Sequence, residues 1–146
     1  MRDSVQEHLA AIFAAHQDLA ETLPEEAFSQ KLSVPSNTVG AQFWCLIGTR
    51  ESFARAIAAG AWSGWNCSMS GEDAANKQKV AEKLHQAAQQ LHEALSGIEW
   101  NDARDGMLLD LLEHEAQHQG QLIRYVYGLK HKFPDSLASR WALAQP

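Results

Sequence analysis

The sequence predicts an all-α protein, a four-helix bundle, and three observations carry that prediction. Four long segments repeat their apolar residues at three-and-four spacing, which lines one face of a helix. No segment alternates with period two in the way a half-buried strand would. The connections are mostly short and are punctuated by helix-stopping residues such as Pro24, Gly60 and Gly97.

The first helix is expected over residues 4–23, with Val5, Leu9, Ile12, Phe13, His16, Leu19 and Leu23 on its inner face. Pro24 ends it, because proline cannot continue the backbone ladder. A connection over 24–36 follows, with room for a short turn at Glu25–Gln30. Ser36 or Asn37 suits the cap of a second helix over 37–59, with Val39, Phe43, Leu46, Ile47, Phe53 and Ile57 inward and Gly60 as its left-handed stop. Residues 60–71 read as a loop anchored by Trp62 and Trp65. Ser70 with Asp73 resembles a capping box for a third helix over 72–96, which buries Val80, Leu84, Ala87, Ala88, Leu91 and Leu95. Asp102 caps the fourth, over 103–130, with Leu108, Leu111, Leu112, Leu122, Tyr125, Val126 and Leu129 inward. In the tail, Pro134 precedes Leu137 and Trp141, which are expected to fold back over one end of the bundle.

At 146 residues the chain is the size of one domain, 1–146, and can bury a core without disulfides. Its formal charge is −6 and it has no basic run, which argues against nucleic acid and anionic membrane as partners. The acidic start is not a secretory signal, and no apolar run reaches the length of a membrane span. A cytoplasmic protein with Cys45 and Cys67 reduced is expected.

The fourth helix carries the chemistry. Its apolar stripe should run on from Leu112 to Leu122, yet those turns hold Glu113, His114, Glu115, Gln117, His118, Gln119 and Gln121. Extending the stripe lands on Glu115 and His118, with His114 one turn before His118. Buried polar groups without partners cost about 1–3 kcal/mol each, and a metal ion is one efficient partner. Histidines at i and i+4 project side by side and can share an ion.

The string His114-Glu115-Ala116-Gln117-His118 also matches the zincin protease pattern. That reading fails for want of a third ligand downstream: only Asp135 and His131 follow, and Arg124 stands where a metzincin histidine would be. A third ligand must come from another helix. Cys45 sits on a second-helix stripe of small residues, with Thr38, Ala41, Gly48, Thr49, Ser52 and Ala56. Spacing does not choose between it and His8, His16, His85 or His92. Free cysteine is, moreover, commonly a buried packing residue. His8 and His16 are the best candidates for outer-shell or pocket roles. His131 follows the negative end of the last helix. Trp44 is a packing residue that is also placed to line a pocket.

Taken together, His114-x-x-x-His118-x-Gly120-Gln121-Leu122-Ile123-Arg124-Tyr125, then Gly128, Pro134 and Trp141, resemble the end of the DinB-like superfamily. That resemblance implies a compact four-helix bundle, often a homodimer, with a divalent metal on three histidines. Two of these match His114 and His118. The third lies in a stretch like Phe43-Trp44-Cys45-Leu46-Ile47-Gly48-Thr49-Arg50-Glu51-Ser52-Phe53, where this chain has Cys45 in its place. The thiolate favours zinc, with nickel, manganese or iron as other occupants. The implied activities are those of transferases or isomerases that use a low-molecular-weight thiol, or of metal-dependent hydrolases acting on a small molecule. In such an enzyme Glu115 or a pocket histidine would move a proton and Gln121 would orient a ligand or water. The competing expectations are a non-catalytic bundle with a lapsed site and a Cys45 that responds to oxidants.

Overall fold

A computed structural model describes residues 2–146. Four long helices form the body: α1 (Arg2–Thr22), α2 (Val39–Ala59), α3 (Lys77–Leu95) and α4 (Asp102–Leu129). A fifth, short helix, α5 (Asp135–Trp141), follows, and 3₁₀ turns at Glu25–Ser29 and Gly71–Ala75 interrupt the connections. Among the described residues there is no strand. The architecture is all-α, with one helix more than a strict four-helix bundle. Each of α1 and α2 packs on both α3 and α4, so α1 and α2 face one another across the diagonal of the bundle.

The ends of the helices follow local hydrogen bonding. Thr38, not Ser36 or Asn37, caps α2: its hydroxyl accepts from the Ala41 N–H at 3.1 Å. Ser36 instead accepts from the Leu32 N–H at 3.0 Å and closes the preceding loop. Ser70 caps only the 3₁₀ turn, accepting from the Asp73 N–H at 3.3 Å. The chain then extends at Asn76, whose side chain accepts from the Lys79 N–H at 2.9 Å and starts α3 five residues later than expected. Asn101 caps α4 in the same way, through the Arg104 N–H at 3.0 Å, so Asp102 is its first residue rather than its cap. Leu137 on α5 is buried, as the tail was expected to be, but Trp141 is exposed.

Gly40, in the first turn of α2, lies where an added Cβ would meet the Ala74 carbonyl and stand 2.9 Å from the Phe28 carbonyl oxygen. Both neighbours are backbone and cannot swing aside. Gly40→Ala is expected to destabilise the fold by about 1–3 kcal/mol, seen as a lower urea midpoint with an unchanged m-value.

The core is divided. One apolar cluster joins Leu19, Phe28, Phe43, Leu46, Ile47, Val80, Leu84, Leu122 and Val126. A second joins Leu9, Ala54, Ile57, Leu91, Leu108 and Leu111 at the other end. Between them lies a polar layer in which His16, Arg50 and Glu115 are all at most 1% exposed. Every helix that crosses this level contributes apolar residues above and below it, so the polar groups are part of the interior.

Candidate metal centre

Glu115 organises the polar layer. Its carboxylate accepts from Arg50 Nε and Nη2, both at 2.8 Å, a paired arrangement suited to a planar guanidinium. His16 Nδ1 lies 2.9 Å from Glu115 Oε2 and 3.1 Å from Arg50 Nη2. An ionised carboxylate only accepts, so the 2.9 Å contact puts the proton on Nδ1, and the contact with the donating guanidinium is mere apposition. The Arg50 guanidinium also covers the Phe13 ring, 3.9 Å from its centroid.

These contacts set the charges. Burial works to raise the Glu115 carboxyl, but Arg50 and then His16 outweigh it and hold the group at about 2. Burial holds His16 below its ordinary value, so it is a neutral imidazole near pH 7. Glu115 is therefore an anion near pH 7, sealed from solvent. Gln121 is exposed on α4.

Cys45, His114 and His118 come together beside this layer. One ligand atom from each lies within 4.8 Å of the other two. The two rings, one turn apart on α4, have centroids 4.5 Å apart. Across the helix interface, Cys45 Sγ is 3.6 Å from His114 Nε2. A tetrahedral ion with sulfur at about 2.3 Å and nitrogen at about 2.05 Å separates those atoms by about 3.6 Å. The pair thus already stands at the edge length such an ion requires.

The tautomer of His118 is also set for ligation. Its Nδ1 is 2.7 Å from Gln42 Oε1, an atom that only accepts, so Nδ1 carries the proton and Nε2 keeps its lone pair. Burial, then the neighbouring His114, pushes His118 down to about 4, and burial lowers His114 as well. Both are neutral donors at pH 7. Burial pushes the Cys45 thiol up, so the sulfur must lose its proton as a cation binds. Cys45, His114 and His118 are each half-buried, which leaves one side of the cluster accessible.

The other histidines stand apart. His8, His85 and His92 are exposed, and His131 Nε2 bonds to Gln30 Oε1 at 2.6 Å. A groove of about 490 Å³ runs between α1 and α3 along Leu9, Phe13 and Leu91 and touches none of the three clustered residues.

The loop after α2 is tied along that helix. Ser68 donates to Glu51 from its N–H at 2.7 Å and from its hydroxyl at 2.6 Å. The Asn66 N–H donates to Ser52 Oγ at 3.0 Å. This brings Trp65 over Gly48, where an added Cβ would stand 2.7 Å from the indole Cε2. Sequence reasoning missed Arg50 and Gln42, and it read Trp65 as a loop anchor without its hydrogen bond to Thr49. Arg50 had a readable signal: it fills the core-facing gap between Ile47 and Ala54, the same kind of break noticed on α4. The partners of Gln42 and Trp65 had no such signal, because they lie 76 and 16 residues away in sequence.

Comparison of the chain with protein-family models, curated proteins and solved structures returns no match.

Proposed function

We propose that the chain is a metal-dependent enzyme of the DinB-like superfamily that acts on a small molecule through a zinc-type ion on Cys45, His114 and His118. The observation that carries this reading is the 3.6 Å spacing of Cys45 Sγ and His114 Nε2, two groups brought together from different helices. Three protein ligands leave a fourth position open, the layout of a catalytic site. When bound, the ion would supply Lewis acidity and make water or a substrate thiol a nucleophile at neutral pH.

The protein residues then have distinct duties. Gln42 orients His118, and the Arg50–Glu115–His16 group fixes the segment of α4 that carries both histidines. With Glu115 held ionised, proton transfer falls to an imidazole. Gln121, exposed one turn beyond His118, would orient a ligand or water. The reaction class that fits the superfamily resemblance is transfer or isomerisation with a low-molecular-weight thiol, or hydrolysis. A cytoplasmic homodimer completes the proposal. No helix among the described residues is long and apolar enough to cross a membrane.

One observation favours the second reading, a non-catalytic bundle whose site has lapsed. His114 Nδ1 is buried without a partner, whereas histidine ligands normally donate that proton to an outer-shell group. Metal analysis of the purified protein, followed by titration with zinc, nickel and manganese, separates the two. Tight uptake at one ion per chain is the expected result, and no uptake of any of them sinks the enzyme reading. Gln42→Leu should weaken binding about 10–100-fold, measured by chelator competition.

A further inference from the structure

The groove between α1 and α3 has a polar inner end. A recess of about 160 Å³, walled by Gln17, Leu84 and Arg50, adjoins it and shares Phe13, His85 and Ala88 with it. The two form one depression, apolar along Leu9, Phe13 and Leu91 and ending at a fully buried guanidinium.

Arg50 reaches that end with donors to spare. A guanidinium has five N–H groups, two of them on Nη1. Nε and Nη2 serve Glu115 on α4, both at 2.8 Å. Nη1 is left on the side of α3, where its partner is the Leu84 carbonyl at 3.5 Å, the outer limit of a hydrogen bond. Leu84 also lines the recess, so Nη1 lies at its wall. A nitrogen with two protons and one long contact keeps at least one donor uncommitted, and a buried donor gains most from an acceptor.

We infer that this groove binds an uncharged molecule with an apolar body and a terminal carbonyl oxygen, the oxygen accepting from Arg50 Nη1 and the body lying along Leu9, Phe13 and Leu91. A volume of about 490 Å³ suits a small-molecule site, and so does an apolar lining with few polar groups. Charge decides between acceptors. Glu115 already matches the guanidinium, so a carboxylate would place a second anion on one buried cation, whereas a neutral oxygen brings no charge to desolvate. An ammonium group has no lone pair to offer. The Phe13 ring, 3.9 Å from the guanidinium carbon, holds the donor in place. The site is independent of the metal cluster, because the depression touches neither Cys45 nor the two clustered histidines.

The test titrates octanamide into the full-length protein and follows backbone amide shifts by NMR. Saturable binding is expected, with the shifts concentrated on α1 and α3 around Phe13, His85 and Ala88. Octanoate and octylammonium, of the same chain length, should bind at least about 10-fold more weakly. Ala88→Leu narrows the junction of groove and recess and should weaken octanamide by a similar factor. The paired variant, Arg50→Met with Glu115→Leu, removes the donor without stranding a charge and should lower octanamide affinity about 10–100-fold. On the unaltered protein, the inference is overturned by octanoate or octylammonium binding as tightly as octanamide, by the absence of saturable binding, or by shifts centred on another face. Undiminished octanamide affinity in a folded paired variant overturns it as well.

Discussion

Arg50→Met is expected to lower the unfolding free energy by about 3–5 kcal/mol, measured by urea denaturation at pH 7. The guanidinium has essentially no exposure and makes both 2.8 Å contacts to Glu115. Methionine preserves much of the volume and the cover over Phe13, so the loss is chiefly electrostatic. It leaves a carboxylate in the core with only His16 beside it. Removing both charges should behave differently: Arg50→Met with Glu115→Leu is expected to recover most of the loss, because paired charges offset desolvation they themselves incur. A double variant no more stable than Arg50→Met would show that the layer does more than neutralise itself.

The same layer dictates acid sensitivity. Glu115 falls from 4.5 in the unfolded chain to about 2 in the fold. A depressed carboxyl contributes stability that is fully present above 4.5 and is lost as pH falls toward 2, here on the order of 3 kcal/mol. His16, His114 and His118 are all lowered by burial. The unfolded chain binds their protons first, so stability begins to fall below about 6.5. In Arg50→Met the sign for Glu115 reverses. Burial without a cation raises its pKa, and the deficit relative to wild type should shrink as pH drops from 7 toward 5. A constant deficit across that range would refute the assignment.

Cys45→Ser is expected to produce the largest functional change. Loss of an outer-shell partner costs about 10–100-fold in metal affinity, so loss of a direct thiolate ligand should exceed about 100-fold. In protein loaded with cobalt(II), the sulfur-to-cobalt charge-transfer band expected of the unaltered chain should vanish altogether. Wild-type protein should also melt higher with zinc than without, by the linkage of binding to folding, and Cys45→Ser should lose that gain. Retained tight binding would move the third ligand elsewhere and leave Cys45 as a packing residue. Loss of binding without loss of metal-free stability is the pattern that separates a ligand from a structural thiol.

The helices and most of the core were readable because a 3.6-residue period and the chain's punctuation are local properties. The His114–His118 pair was readable for the same reason, as two polar residues one turn apart in an interrupted stripe. Helix starts were less legible. Thr38 and Asn101 each sit beside another residue able to cap, and Asn76 follows Ser70 and Asp73 within a few residues; which side chain reaches the free N–H groups depends on backbone angles set by the neighbouring turns.

The sequence by itself determined the all-α class, the interrupted stripe and the two histidines that share a face of α4. Only the tertiary structure decided which residue from another helix joins them. Cys45 meets His114 because α2 packs against α4, while His8, His85 and His92 point to solvent on other surfaces. Only the tertiary structure, too, decided the charge state of Glu115. Its pKa is set by Arg50 and His16, 65 and 99 residues away in the chain, and distance through space rather than along the sequence governs a Coulomb interaction.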